Sequence, residues 1–190
     1  PQKRGITKAT IEIENDASDQ DNRRYFGFSI PAMPNITVIG APQNTKFITL
    51  LFSDNTSAAV KTFGPQDISS VNFAEYDAVI VTGGLRQSEA SRLNQYVQNG
   101  GSAFIFADGS EEFQAFSASL AQLGFAGVSE QSFSTDQPAG FTSVDKQHPL
   151  FQGVFKGTTD SKSIVESPKM TKGFPVNGGQ TLIGMPGGAF

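Results

Sequence analysis

A chain of 190 residues, 37% hydrophobic and 17% charged, has room for one good core and a small appendage. Its 14 basic and 18 acidic residues leave a formal net charge of -4, spread along the chain, which argues against the basic face that a nucleic-acid partner needs. The absence of cysteine excludes a thiol nucleophile, a disulfide and a thiolate metal site. No apolar run approaches the roughly 20 residues of a membrane span, and the basic start PQKRG runs into polar sequence rather than into a signal-peptide core. With 17 Phe, 3 Tyr and no Trp, the core is expected to be rich in Phe.

Taken in chain order, TKATIEIE (7–14) and RYFGFSI (24–30) both alternate apolar and polar residues, with a polar, turn-forming stretch between them. This predicts a β-hairpin with a loop longer than a tight turn. Two strands do not make a stable core, so the hairpin either packs on the α/β unit after it or belongs to a β-sandwich whose other strands lie elsewhere. Pro31 and Pro34 mark a boundary, giving a β segment over 1–33 and a second unit over 34–190.

NITVIGA (35–41) reads as a buried strand. KFITLLF (46–52) has Ile48, Leu51 and Phe52 at helical spacing, which favours a helix. A short strand is expected within 57–63 and a connecting turn over 66–73. The strongest signal is Tyr76 to Ser110. DAVIVTGG and SAFIFADGS are apolar runs closed by Gly, which predicts two strands buried on both faces. Between them Ala90, Leu93, Tyr96 and Val97 form one helical stripe that ends at Asn99-Gly100-Gly101. Strand, helix, strand with short links is the right-handed parallel crossover of an open α/β sheet.

A further helix is expected over 111–123, with Ser110 as N-cap, Glu111 and Glu112 in its first turn and Phe113, Phe116, Leu120 and Leu123 as its stripe. Beyond Phe125 the pattern weakens to short strands near 128–134, 141–144, 164–165 and 181–183, with a β-rich tail from about residue 151. The expected architecture is therefore α/β: an open, mostly parallel, flavodoxin-like sheet with helices on both faces, an N-terminal hairpin and a β-rich tail. Because the last residues, PGGAF, stop on an apolar residue after a Gly-Gly turn, we expect a fragment of a longer protein.

Three places could carry chemistry. Gly83 and Gly84 end a parallel strand, where such sheets bind ligands, although a tight turn needs the same residues. Asp108 and Ser110 follow the next strand in the position of a nucleophile elbow, and a carboxylate can act as a nucleophile. The same Asp-Gly-Ser is ordinary turn and cap chemistry. His148, the single histidine, is the one residue a Ser-His-Asp mechanism could use. No HxH or HExxH spacing, phosphate-binding loop or dinucleotide fingerprint occurs, so no metal, no cofactor and no complete catalytic constellation is expected.

DAVIVTGG, a helix and GGSAFIFADGS together resemble the core of the class I glutamine amidotransferase-like fold, a flavodoxin-like sheet. The resemblance puts Asp108, or Ala107 with a one-residue slip, where active members carry a catalytic Cys, so the thiol chemistry is lost. Over nearly the whole chain, ATIEIENDASDQDNRRYFGFSIP and the later DKQHPLFQGVF resemble the Bat-type aerotolerance proteins, bacterial membrane proteins with such a domain. Related sugar-utilisation proteins share the His-Pro element.

These resemblances imply a non-enzymatic interaction or sensing domain of a cell-envelope membrane protein. It would lie outside the cytoplasmic membrane, be tethered by segments not present in this chain, and have other envelope proteins as partners. They carry over no catalytic residue. The alternative is a small-molecule domain, carbohydrate-binding with Phe133, Phe141 and Phe151 lining an aromatic cleft, or a hydrolase using Asp108, Ser110 and His148.

Overall fold

Two central strands, Asn35–Ile39 (β3) and Ala78–Thr82 (β5), run side by side in parallel and carry the core. Each is an almost continuous run of β-branched residues, as a strand packed on both faces requires. Ala59–Phe63 (β4) pairs with β3 on one side and Ser102–Phe106 (β6) with β5 on the other, so the sheet is all parallel in the order β4-β3-β5-β6. The computed structural model describes residues 5–13, 22–30, 32–53, 58–107, 113–126, 128–152, 154, 167–186 and 188–189.

Among the described residues three helices flank this sheet. Pro42–Leu51 (α1) joins β3 to β4, Gln87–Gln98 (α2) joins β5 to β6, and Phe113–Gln122 (α3) comes after β6. Alternation along β3 and β5 sorts the core into two layers. Ile36, Val38 and Ile80 pack with Ile48 of α1 and Phe52 at its C-cap on one face. Ile39, Val79 and Val81 pack with Ala90, Leu93 and Tyr96 of α2 on the other. This fits a flavodoxin-like arrangement, with helices on both faces.

The segment between β4 and β5 forms two 3-10 turns, Pro65–Ser70 and Phe73–Glu75. Arg92 of α2 holds the first turn, donating to the carbonyls of Ile68 (3.2 Å), Ser69 (2.9 Å) and Val71 (2.6 Å) while its guanidinium lies over the Phe73 ring. Ser119 of α3 donates to the carbonyl of Leu85, tying the third helix to the loop after β5.

Gly5–Glu12 (β1) and Arg23–Ile30 (β2) form the expected antiparallel hairpin, with Ala9 opposite Phe26 and Thr7 opposite Phe28. The loop between them lies outside the described residues except for Ile13 and Asn22, the Ile13 N–H donating to the carbonyl of Asn22 at 3.1 Å. Past α3 the chain makes small antiparallel ladders. Gln131–Ser132 (β7) pairs with Lys172–Gly173 (β9), and Ser143–Val144 (β8) pairs with Ile183–Met185 (β10), which also pairs with Gly188–Ala189 (β11). The β7–β9 and β8–β10 ladders join residues before position 151 to residues after it.

Several expectations need correction. α1 begins at Pro42, four residues before the apolar run that suggested it, because Pro is well suited to a first helical position whose N–H has no partner. Val97, expected in the buried stripe of α2, is 40% exposed. The stretch 128–134 yields only a two-residue strand outside the parallel sheet. Most informative is β6. Its uninterrupted apolar run predicts burial on both faces, yet it is an edge strand whose Phe104 and Phe106 are 48% and 51% exposed. The strands expected near 164–165 and the N-cap Ser110 lie outside the described residues.

Thr37, in the middle of β3, is 0% exposed and its hydroxyl finds no hydrogen-bond partner among the described residues. A buried hydroxyl without a partner costs about 1–3 kcal/mol. Thr37→Val keeps the shape and removes that hydroxyl, so urea denaturation should show a gain of about 1 kcal/mol; a loss would mean that the hydroxyl is satisfied.

Candidate functional site

Open parallel sheets bind ligands outside the carboxyl ends of their strands, where successive connections leave in opposite directions. In the order β4-β3-β5-β6 that point falls between β3 and β5. Gly40 and Ala41 frame it on one side, and Gly83 and Gly84 on the other.

The two strand ends are pressed together there. A side chain at Gly40 would run into the Thr82 hydroxyl and come within 2.9 Å of the Thr82 carbonyl and 3.1 Å of Thr45 Cγ2. Thr82 and Thr45 are both buried, and Thr82 Oγ1 donates to the Ile39 carbonyl at 3.4 Å. The Gly40 N–H donates to the Phe63 carbonyl at the end of β4 (3.1 Å). Where related sheets leave a crevice, two threonines fill the space. α1 begins here with Ala41 as N-cap, which offers no side-chain acceptor.

The Gly83-Gly84 turn is pinned in a similar way. Gly83 sits at φ +101°, the left-handed region that favours glycine. Its N–H donates to the Phe106 carbonyl of β6 at 2.8 Å, so that amide is committed to joining two strand ends and cannot face a ligand. Two residues on, the Leu85 carbonyl accepts from Ser119 Oγ. The Arg86 N–H donates to Oε2 of the buried Glu89 at 2.8 Å, closing the first turn of α2.

His148 is half-buried in the loop that leads to the 3-10 turn Pro149–Phe151, and its bonds are local. Its N–H donates to the Asp145 carbonyl (3.1 Å), its carbonyl accepts from the Phe151 N–H (2.9 Å), and Nδ1 accepts from the Leu150 N–H (3.3 Å). Accepting at Nδ1 leaves the ring proton on Nε2. Asp145 Oδ1 accepts from the Gln147 N–H (3.2 Å). The Asp-x-x-His-Pro element is thus a self-braced turn. Asp108 and Ser110 lie outside the described residues, and so does their relation to His148.

Two cavities open elsewhere, and neither is lined by Gly83, Gly84 or His148. The smaller, about 450 Å³, lies at the amino ends of β5 and β6 among Asp77, Arg92, Gln95, Tyr96 and Asn99. Burial pushes the Tyr96 phenol above its ordinary 10.0, and its hydroxyl donates to the Tyr76 carbonyl at 2.9 Å. Asp77 Oδ2 accepts from the Asn35 N–H. These groups are occupied in holding the bottom of the sheet.

The larger cavity, about 590 Å³, lies between α2, α3, β6 and β9. Ile105, Phe116, Leu120, Phe125 and Phe174 give it an apolar wall, and Asn94 and Lys172 are its polar members. Lys172 is ion-paired with Glu130 at 3.0 Å and lies over the Phe174 ring.

Phe133, Phe141 and Phe151 line neither cavity. The aromatic wall comes instead from Phe116 in the helical stripe of α3, whose spacing signals core, and from Phe125 and Phe174 just outside the helices and strands, so nothing in the residue pattern set it apart. Among the described residues no three His, Asp or Glu side chains gather as metal ligands, and no helix is long and apolar enough to cross a membrane. Compared with protein-family models and with curated proteins, the chain matches none of them.

Gly40→Ala tests how tightly the strand ends are closed. Its new methyl meets the Thr82 hydroxyl and carbonyl, and overpacking of this kind costs about 1–3 kcal/mol. Thermal unfolding should show that loss, and an unchanged midpoint would mean that the crevice is open.

Proposed function

We propose that this chain is a non-enzymatic interaction or sensing domain, an amidotransferase-like scaffold whose nucleophile position is vacated. The observation that supports it most is the state of the strand ends. Gly83 gives its N–H to Phe106, Thr82 fills the space beside Gly40, and His148 commits Nδ1 to its own turn. Acyl-transfer chemistry needs free N–H donors aimed at a developing oxyanion and a base aimed at a nucleophile. Here the Gly83 N–H and His148 Nδ1 are engaged in structure instead. Placement in a bacterial cell-envelope membrane protein, on the outer side and among other envelope proteins, rests on the resemblance of ATIEIENDASDQDNRRYFGFSIP and DKQHPLFQGVF to the Bat-type proteins.

Two measurements test this. The purified chain should hydrolyse neither glutamine nor p-nitrophenyl acetate above background; turnover that falls in Asp108→Asn or His148→Ala would establish the hydrolase instead. Protease added to intact spheroplasts should cleave the domain, whereas protection would put it in the cytoplasm.

The second reading is a small-molecule binding domain, and the cavity of about 590 Å³ favours it. Cavities of roughly 300–1,000 Å³ with apolar walls and few polar groups suit small ligands. This wall suits an apolar molecule better than a sugar. The chain has no Trp, so a naphthalene-sulfonate dye can be followed without indole background. Its fluorescence should rise on binding and fall back in Ala103→Leu, which narrows the cavity; no rise at all would remove this reading.

A further inference from the structure

A parallel sheet is stable in water only when both faces are covered. Among the described residues the face toward α2 and α3 has two helices and the opposite face has one. In-register neighbours share a face, so Phe104 lies beside Ile80 and Phe106 beside Thr82, on the α1 side. Ile80 is covered, whereas both phenylalanines stand about half exposed on the outer strand.

α1 carries a matching surface. Thr45, Ile48 and Phe52 turn toward the sheet, while Phe47, Leu50 and Leu51 are 64–75% exposed within one arc of about 100° of the helix. In a right-handed β3–α1–β4 crossover, the flank bearing Phe47 and Leu51 turns toward β5 and β6, and Leu50 points away from the sheet. The helix flank and the bare strand therefore make one apolar shelf, wide enough for a second helix beside α1.

The geometry points to a second copy of this chain as the occupant, bound through a two-fold axis that runs parallel to the strands beside α1. Each α1 then lies over the other copy's β5 and β6. Leu50 and Phe47 of one copy rest on Phe104 and Phe106 of its partner, and the two Leu51 flanks meet at the axis. Such a pairing is isologous, because the same patch supplies both the helix and the floor.

Charge permits it. Lys46 is the single charged residue of α1, and β6 has none. The opposite edge strand, β4, instead presents Lys61 over the Phe63 ring, a charge of the kind that protects sheet edges from pairing. Size permits it too. Five half- to three-quarters-exposed side chains per copy, on the order of 100 Å² each, give about 1,000 Å² over the pair, where specific interfaces begin. Of the strand-end residues only Phe106 takes part, through its ring and not through the carbonyl that holds Gly83, so the dimer stands independently of the proposed function.

The test is the mass of the 190-residue chain in solution, by sedimentation velocity from about 1 to 100 μM, together with single-cysteine cross-linking in this cysteine-free sequence. A dimer is expected that Leu50→Glu and Leu51→Glu turn into a monomer, with circular dichroism unchanged because both side chains already face water. Leu51→Cys should give a disulfide-linked dimer on mild oxidation, and Lys61→Cys, on the other edge, should not. A monomer at every concentration would overturn the proposal, as would a dimer that survives both glutamate substitutions or a cross-link that forms equally well at position 61.

Discussion

Everything in this chain depends on keeping β3 and β5 dry. Val38, Val79 and Thr37 sit at full burial in the middle of a four-stranded sheet, and their backbone groups are paired only with neighbouring strands. Two layers of side chains secure that position: Ile48 of α1 and its C-cap Phe52 below, and Leu93 and Tyr96 of α2 above. Arg92 extends the upper layer to the 3-10 turns, where it replaces the missing helix between β4 and β5 with three hydrogen bonds to carbonyls. The requirement is met fully at the centre of the sheet and only in part at its β6 edge.

The same need for closure explains the strand ends. Glycines at the carboxyl ends of parallel strands can either leave room for a ligand or allow the backbone to close on itself. At Gly40 and Gly83 the second use is the one observed, since the Thr82 side chain fills the first position and the Phe106 carbonyl takes the N–H of the second. Open parallel sheets bind ligands at such ends, whereas here they join β3, β4, β5 and β6. Open space is found instead beside α3 and below β5, in cavities whose polar members, Lys172 and Arg92, already have partners.

How much was legible beforehand depends on how local each signal is. The β5–α2–β6 unit was readable almost residue by residue, because apolar runs bounded by Gly and a stripe at helical spacing depend only on near neighbours in sequence. The hairpin was readable for the same reason: its alternation puts Ala9, Phe26 and Phe28 on one face. The start of α1 was not, since residues 42–45 are polar and only Pro42 hints at a first helical turn. The β7–β9 and β8–β10 ladders after α3 were poorly legible because each depends on a partner some 40 residues away, as Gln131 does on Gly173.

The sequence by itself determined the class of the fold, the position of its crossover, the absence of thiol chemistry and the candidate residues Gly83, Gly84, Asp108, Ser110 and His148. All of these rest on residue type and short-range spacing. Only the tertiary structure decided what Gly83 and His148 are used for, because a hydrogen bond to Phe106 or Leu150 leaves no mark on residue type. It also decided that β6 stands at an edge. An apolar run has the same spelling whether neighbours cover both its faces or only one, and which of these holds is settled by strand order, a property of the whole sheet.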